Sequence, residues 1–258
     1  MMPSLFISHG PPDRVTSSSP AKTFLTQLGG QLPKPKAIII FSAHWFSKKI
    51  TLSANGTNDI LHDMYGFNPE LYQVKYHTIT PAWLAESVTD ILDSENIEYS
   101  TSNRGLDHGA WSVLKLAYPD GSIPVIGVSI PVYENFEDYL MLGALLKPLR
   151  KSGYLIIGSG SATHNLSELQ FNNRKSAWAQ EYVDWLQQAV LNHNYDDLAT
   201  PYQANKLTRK AHPTPDHYIP LLIAAGAGMN EAVDIIHDSY EYGTLNNTSF
   251  RFGDTAHH

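Results

Sequence analysis

The sequence contains no cysteine, which excludes disulfides, thiolate metal sites and cysteine nucleophiles. Basic residues are also few, with 18 Lys and Arg against 25 Asp and Glu, so the formal net charge is −7. That charge argues against nucleic acid or an anionic membrane as the main partner. No apolar run approaches the roughly 20 residues that cross a bilayer. Residues 1–10 show no signal-peptide pattern, so we expect a soluble, cytoplasmic protein.

The composition is that of an ordinary globular protein, because 42% of the 258 residues are hydrophobic and 17% are charged. A chain of this length buries roughly 70–75% of its unfolded surface, so its fold needs no disulfide. We expect one catalytic domain over residues 1–254. Residues 255–258, which include two of the twelve histidines, are expected to be a tag remnant or a disordered tail.

Apolar runs alternate with segments of helical periodicity along most of the chain. The predicted strands are Ser4–Ser8, Ala37–His44, Ile50–Ala54, Tyr99–Thr101, Pro124–Ile130, Tyr154–Gly158 and Thr248–Phe252. The predicted helices are one of about ten residues ending at Gly29 and Gly30, then Pro81–Ser94, Asp107–Leu116, Phe136–Arg150, Ser176–Leu191 and Tyr218–Ala225. Residues 55–77 are expected to be irregular. This alternation predicts a three-layer α/β/α fold with a central, mostly parallel (mixed) sheet.

Three of the apolar strands are closely followed by a histidine, namely His9, His44 and His164. Ligands of open α/β sheets bind at the carboxyl ends of the strands, so parallel neighbouring strands would bring these imidazoles together. Imidazole is a good ligand for zinc, iron or copper. The sequence has no compact metal motif such as His-Glu-x-x-His, so any metal site is assembled from distant segments.

Further histidines are candidates for the same site. His108 lies between Asp107 and a glycine, and the segment His212-Pro-Thr-Pro-Asp-His217 forms a stiff loop before a helix. A rigid loop suits a ligand site, and an ordinary surface turn is the alternative reading. The remaining histidines stand in polar or irregular surroundings and are predicted to be solvated; they are His62, His77, His193 and His237. For His62 the alternative is a substrate-facing loop over residues 61–67.

Five segments occur together in the order typical of one enzyme family. They are His9-Gly-Pro-Pro, Ser42-Ala-His44-Trp45, Gly105-Leu-Asp-His108-Gly-Ala-Trp111, Thr163-His164-Asn165-Leu166 and His212-Pro-Thr-Pro-Asp-His217-Tyr-Ile-Pro-Leu221. In this order they resemble the class III extradiol dioxygenases, and most of all the DOPA 4,5-dioxygenase branch. The likeness extends from Ser4 to Phe252. It implies opening of a catechol ring by O₂ beside a hydroxyl-bearing carbon.

The resemblance also implies roles for five histidines. His9, His44 and His217 match the ligands of one divalent metal, and His164 matches an acid/base or a possible fourth ligand. His108 matches a second catalytic histidine that faces the substrate and oxygen. Because ring opening needs single-electron transfer to O₂, Fe(II) is expected for turnover. Zinc, which has no redox chemistry, is expected as a bound but inactive form.

Two positions depart from the family pattern. Asp216 stands where many relatives carry glutamate, and the loop after His9 reads Gly-Pro-Pro-Asp instead of a small residue before a single proline. Both departures leave the matched ligands in place. The first concerns the hydrogen bond of the carboxylate beside His217, and the second concerns the conformation of the loop after His9.

The substrate would be a small aromatic catechol such as L-DOPA, and aromatic or polar side chains near the motifs could contact it. The candidate contacts are Trp45, Tyr218 and His212, with Tyr65 and Phe67 as further candidate walls; core packing is the alternative reading for the aromatic residues. Two other functions use the same histidines. One is a zinc-dependent hydrolase that activates water, and the other is a non-catalytic metal- or catechol-binding protein.

Overall fold

The computed structural model describes residues 1–171 and 174–254, so the predicted tail at 255–258 lies outside the described residues. Its central strands coincide with apolar runs rich in β-branched residues, which pack well on a pleated surface. In chain order the strands are β1 (Ser4–Ser8), β2 (Ala37–Ser47), β3 (Ile50–Ser53), β4 (Gly56–Asn58), β5 (Thr78–Thr80), β6 (Tyr99–Ser102), β7 (Val125–Pro131), β8 (Tyr154–Gly160), β9 (Val233–His237), β10 (Tyr240–Glu241), β11 (Leu245–Asn246) and β12 (Ser249–Phe252).

Helices occupy five of the connections between these strands. They are α1 (Pro20–Gln31), α2 (Ala82–Ser94), α3 (His108–Ala117), α4 (Glu137–Lys151), α5 (Ala177–Leu191), α6 (Tyr195–Ala199), α7 (Pro201–Ala204), α8 (Thr208–Ala211) and α9 (Ile219–Ala227). Short 3₁₀ helices cover Pro12–Val15, Pro69–Gln73 and Leu166–Glu168. Within the described ranges, no helix combines the length and the apolar character that a membrane crossing requires.

Eight of the described strands form one sheet in the order β6–β3–β7–β2–β8–β1–β12–β9. The four strands β7, β2, β8 and β1 run parallel to one another. Antiparallel pairs flank them, β3 with β7 on one side and β12 with β1 on the other. The carboxyl ends of β1, β2 and β8 therefore meet at one edge, where the histidines that follow these strands can converge. The combination of parallel and antiparallel pairs confirms the predicted mixed sheet.

Strand β2 shows how the sheet separates two hydrophobic cores. Successive side chains of a strand point to opposite faces. Ile39 and Phe41 pack in the core beneath α2, α4, α5 and α9, whereas Ile38 and Ile40 pack in the core beneath α1 and α3. All four side chains are buried, which explains the uninterrupted apolar run. The predicted three-layer α/β/α architecture is thus confirmed.

The second half of β2 departs from the prediction. We expected the strand to end at His44, but it continues to Ser47. Phe41 is paired with Val128 of β7 and Phe46 with Ile130, so β2 contains more residues than β7 between these two pairs. The surplus residues form an irregularity of the bulge type, which redirects side chains locally. His44 therefore lies in a bulge inside the strand instead of in a loop after it.

Other differences concern short or half-buried elements. Residues 55–77, expected to be irregular, contain β4 and one 3₁₀ helix. Strand β9 and the two-residue strands β10 and β11 were not predicted, because β9 is a half-buried edge strand and the other two are too short to show a period. Helix α1 continues past Gly29, where the helix packs closely against the backbone of Ala117.

Helices α4 and α9 cross at two glycines. A Cβ atom on Gly143 of α4 would overlap the carbonyl oxygen of Ile223 in α9, and one on Gly226 of α9 would overlap the carbonyl oxygen of Leu140 in α4. The two contacts are reciprocal, so each helix supplies a gap for the backbone of the other. Their close approach fixes α9 over the sheet, directly after the segment that carries His217.

We expect Gly143→Ala to destabilise the protein by about 1–3 kcal/mol, because the added methyl group has no space between the two backbones. The matched control is Gly30→Ala in α1, where a Cβ atom meets nothing within 4 Å. That substitution should stabilise the protein by up to about 1 kcal/mol, since alanine restricts the unfolded chain. Urea unfolding followed by circular dichroism measures both changes. Equal stability of Gly143→Ala and the wild type would contradict the close backbone contact between α4 and α9 at Gly143.

Candidate active site with a histidine metal centre

Three histidines from different segments converge at the carboxyl edge of the sheet. His9 follows β1, His44 lies in the bulge of β2, and His217 directly precedes the first turn of α9. The backbone amide of Ser161, just after β8, donates a hydrogen bond of 3.0 Å to the carbonyl oxygen of His217. This bond fastens the α9 entry loop to the sheet edge. The three side chains are thus held by neighbouring strands and by the helix that covers them.

The three imidazoles face one another through their Nε2 atoms. Nε2 of His44 lies 3.2 Å from Nε2 of His9 and 3.2 Å from Nε2 of His217. All three nitrogens lie within 4.8 Å of one another. His9 and His217 are buried and His44 is half-buried. The predicted convergence of His9 and His44 is confirmed, and His217 completes the group.

Hydrogen bonds at the opposite ring nitrogens decide where the protons are. The Ser159 hydroxyl donates its only proton to the carbonyl oxygen of Gly109 at 2.5 Å, so it accepts a bond from Nδ1–H of His9 at 3.0 Å. The Asp216 carboxylate accepts a bond from Nδ1–H of His217 at 2.6 Å. In both neutral rings Nε2 is therefore the atom with the lone pair. Such partners at the outer nitrogen orient histidine ligands in metal sites.

This proton arrangement fits a metal ion. Two Nε2 lone pairs point towards Nε2 of His44, which carries at most one proton and can satisfy only one of them. A cation among the three nitrogens would satisfy all of them. The donor set is that of three neutral imidazoles, which suits zinc or iron. The site that the sequence motifs predict therefore has the chemistry of a metal centre.

Burial keeps the three rings in the form that binds a metal. It lowers the pKa of His9 well below its usual value, and it lowers the pKa of His44 to about 4 and that of His217 to about 3. Metal ligation requires neutral imidazole. Around neutral pH these histidines are uncharged, so no proton has to be removed before a metal binds.

His164 lies against the three converging imidazoles of His9, His44 and His217. Its ring stacks on that of His217 with 3.4 Å between centroids and 8° between planes. Its backbone amide donates to the carbonyl oxygen of Ala211 at 2.8 Å, which holds the loop after β8 in place. Burial lowers the pKa of His164 as well. A neutral imidazole beside three converging nitrogens can accept a proton from a bound molecule.

His108 is the first residue of α3, and its ring centroid lies 4.0 Å from that of His44. Asp63 accepts two bonds from it, one from the backbone amide at 2.9 Å and one from Nδ1 at 3.0 Å. The second bond leaves Nε2 as the acceptor nitrogen of the ring. Sequence reasoning missed Asp63. The only signal was that Asp63 lies in the long segment 55–77, which was expected to be irregular. Long loops in compact domains are often functional.

A buried network supports the bulge that carries His44. Asp107 caps α3 by accepting from the amide of Ala110, and it also accepts a bond of 2.5 Å from the Ser42 hydroxyl. Arg104 donates to Asp107 at 2.9 Å and to the carbonyl oxygen of His44 at 3.0 Å. The same carboxylate therefore fixes both the His44 backbone and the start of the helix with His108. The sequence motif contained Asp107 but gave no indication of Arg104.

The Gly-Pro-Pro-Asp loop after His9 is anchored by the next residue, Arg14. Gly10 has φ +65°, a conformation that favours glycine, and the chain then enters the 3₁₀ helix. Arg14 is buried and donates to the carbonyl oxygen of Ser8 at 3.1 Å and to Glu241 at 2.6 Å. Arg14 thus connects the loop to the end of β1 and to β10.

A cavity of about 430 Å³, called the histidine cavity below, opens over this group. Its polar residues include five of the predicted histidines, namely His9, His44, His108, His164 and His217. Most of the remaining wall is apolar or aromatic and includes Phe67, Leu166, Leu169, Phe171, Tyr242 and Leu245. Such a cavity suits an aromatic ring bound with its polar edge against the histidines.

The structure does not bring the other predicted substrate contacts to this cavity. Trp45 lies beneath the guanidinium of Arg104 at 5.3 Å, and Tyr65 is 90% exposed. Tyr218 is buried and donates its hydroxyl to the carbonyl oxygen of Leu198. His212 is also buried, and its Nε2–H donates to the carbonyl oxygen of Ala162 at 2.9 Å. Trp45, Tyr218 and His212 therefore pack behind the cavity wall, and Phe67 alone of the predicted walls lines it.

The four histidines predicted to be solvated stay outside the histidine cavity. His77 is exposed, as expected, and pairs with Asp59. His62, His193 and His237 are half-buried, which corrects the expectation that they are solvated.

Comparisons with known proteins identify the family of this chain. The family model of the catalytic LigB subunit of aromatic ring-opening dioxygenase matches residues 2–253. A Beta vulgaris protein named 4,5-DOPA dioxygenase extradiol is 36% identical, over 98% of this chain and 97% of that protein. A protein of the same name from Escherichia coli K12 is 31% identical, over 98% of this chain and 95% of that protein.

A solved structure has the same fold. The crystal structure of an uncharacterised protein from Escherichia coli K12 superposes with a TM-score of 0.82 at 29% sequence identity, covering 98% of this chain and all of that one. The predicted enzyme class, an extradiol ring-opening dioxygenase, is confirmed by these matches. The chain belongs to the family of the catalytic LigB subunit of aromatic ring-opening dioxygenase.

Proposed function

We propose that the protein opens the ring of an L-DOPA-like catechol with O₂, using Fe(II) held by His9, His44 and His217. The observation that carries the proposal is the convergence of three imidazole Nε2 atoms at the buried end of an apolar cavity. Relatives named 4,5-DOPA dioxygenase extradiol support a catechol with an amino-acid side chain as substrate. The ring bond beside one hydroxyl-bearing carbon breaks, and both oxygen atoms of O₂ enter the product.

His9, His44 and His217 would hold the metal through Nε2, with Ser159 and Asp216 orienting two of the rings. When bound there, Fe(II) lowers the pKa of the catechol hydroxyls and exchanges single electrons with O₂. The protein contributes a neutral, pre-oriented donor set. It also contributes apolar walls that exclude water from the reacting ring, which strengthens electrostatic interactions inside the cavity.

His164 is our candidate for the acid/base. Its ring is parallel to that of His217 and lines the histidine cavity, so a catechol oxygen at the metal-binding group lies beside it. Because burial keeps the ring neutral, it can accept the proton of a catechol hydroxyl and return it when the ring opens. His108 has the complementary role of orienting the substrate, since Asp63 fixes its ring and leaves Nε2 as an acceptor.

The family assignment supports oxygenation over hydrolysis by a zinc-activated water. The wall composition agrees, because an apolar cavity suits an aromatic ring better than a polar hydrolase substrate. Oxygen uptake on catechols also separates catalysis from the alternative of a non-catalytic binding protein.

Single replacements of His9, His44 or His217 by Ala should each reduce bound metal. Removing a residue that only hydrogen-bonds to a metal ligand typically lowers metal affinity by about 10–100-fold. Removing a ligand itself should therefore lower the metal affinity by at least the same factor. Metal content after dialysis, measured by inductively coupled plasma mass spectrometry, checks this. His77→Ala, at an exposed histidine, is the control and should retain metal fully. Full retention by all three ligand variants would refute the assignment.

Reconstitution with Fe(II) should give oxygen uptake and a yellow ring-opened product from L-DOPA, whereas zinc should give neither. The reason is that zinc has no accessible redox change. An oxygen electrode combined with an absorbance trace measures both signals. The zinc-loaded protein should still bind the catechol, which controls for folding. Turnover by a rigorously iron-free zinc form at the rate of the iron form would exclude the proposed chemistry.

His164→Ala should keep most of its Fe(II) and still bind catechol, yet turn over at least about a hundredfold more slowly, the usual effect of removing an acid/base. His108→Ala should show a milder loss, since its ring orients the substrate. Parallel measurements of kcat and iron content distinguish the roles. Iron loss in His164→Ala as large as that in His9→Ala would instead make His164 a fourth ligand.

A further inference from the structure

The wall of the histidine cavity carries very little charge. Among its described lining residues there is no lysine or arginine, and Asp13 is the only carboxylate. Burial lowers the pKa values of His9, His44, His164 and His217, so these four rings are uncharged around neutral pH. Asp13 is therefore the only acidic or basic side chain, apart from the histidines, among the described lining residues.

Asp13 lies where the histidine cavity meets a second one. This outer cavity has a volume of about 560 Å³ and shares four lining residues with the histidine cavity, namely Pro11, Asp13, Phe171 and Tyr242. We call these four residues the mouth. Phe171 is 86% exposed, so the mouth faces solvent, in contrast to the buried His9 and His217 at the other end.

The Asp13 carboxylate makes no side-chain hydrogen bond within residues 1–171 and 174–254, where Asp13 takes part in hydrogen bonds only through its backbone. Burial lowers the pKa of its neighbour Arg14, and the charges of Glu241 and Asp13 counteract this effect, but the hydrogen bonds of Arg14 go to Ser8, Glu241 and Asn247. Besides burial, the charge of Asp13 contributes to the raised pKa of Tyr242, which places the carboxylate near another mouth residue. A half-buried carboxylate with no hydrogen bond to a protein cation can accept one from the cation of a ligand.

A catechol that sets its two oxygens against the histidines directs its ring substituent away from them, towards the mouth. We propose that Asp13 makes the enzyme selective for catechols whose substituent carries an ammonium group. This inference rests on the proposed catechol chemistry. An ammonium group at the mouth would pair with Asp13, whereas a carboxylate there would be repelled and would find no basic residue in the wall of the histidine cavity.

The outer cavity contains charges of both signs. Arg174 and Lys175 line it, and so do Asp13 and Glu241, whose carboxylate accepts a hydrogen bond from Arg14. The carboxylate of an amino-acid substituent that extends past Asp13 would enter this cavity, whose described lining residues include basic side chains, unlike those of the histidine cavity. A substituent with both an ammonium and a carboxylate group can thus pair with charges of both signs.

The test compares three probes that differ in the charge of the substituent: dopamine, methylcatechol and dihydroxyphenylacetate. Calorimetric titration of the zinc-loaded protein gives each Kd without turnover. The wild type should bind dopamine about tenfold more tightly than dihydroxyphenylacetate, the combined effect of one half-exposed attraction and one repulsion. Asp13→Asn should bring that ratio close to unity and leave the Kd for methylcatechol within about twofold.

Asp120→Asn is the matched control, because it removes the same charge from an exposed loop before β7, at the opposite edge of the sheet. It should keep the wild-type ratio. A second measurement needs no variant: the preference of the wild type for dopamine should shrink between about 0.02 M and about 0.5 M salt, since screening weakens a half-exposed pair.

The outcomes separate this inference from the proposed function. If the wild type binds all three catechols with a ratio near unity, or if Asp13→Asn keeps the preference, the role of Asp13 is wrong and the catechol site stands. If the wild type binds none of the three probes and the iron form takes up no oxygen with them, the proposed function itself fails. Unchanged methylcatechol binding by Asp13→Asn shows that this variant is folded.

Discussion

The site depends on one constraint, which is that the Nε2 lone pairs of His9 and His217 both point towards Nε2 of His44 in a buried place. Ser159 and Asp216 impose it, because each accepts Nδ1–H of a ring and so fixes Nε2 as the acceptor. Facing acceptors at 3.2 Å are unfavourable unless a proton or a cation lies between them. The surrounding hydrogen bonds therefore determine both the geometry and the ligand chemistry.

The fold meets this constraint by joining three separate pieces of backbone. Parallel pairing of β8 with β1 and β2 brings His9 and the bulge of β2 to one edge. Helix α9 can cover that edge because Gly158 and Gly160 leave room for the backbone of Pro220 and His217. The Arg104–Asp107 pair then connects the backbone of His44 to the start of α3. A shift in any of these contacts would move a ligand relative to the other two.

The sequence predicts those parts of the site that follow from strand position. Ile38 to Phe41 form a recognisable buried strand, and the histidines near strand ends converge as expected. Asp63 could not be predicted, because its bond to His108 joins residues 45 positions apart across an irregular segment. His212 was misplaced for a different reason. Proline spacing marks a stiff loop but does not specify which histidine faces the cavity, and only His217 does.

The proposed ring opening and the proposed substituent selectivity belong to opposite ends of the histidine cavity and depend on different contacts. The buried end is fixed by bonds that involve backbone and ligands together, so few substitutions there leave the metal-binding group intact. The mouth is formed by exposed or half-buried residues of loops, where a change of side chain disturbs little packing. Arg14, in the 3₁₀ helix that also carries Asp13, anchors this segment through hydrogen bonds to Ser8 and Glu241. With these proposed roles, a substitution at position 13 would change the substituent preference and leave the histidines of the buried end in place.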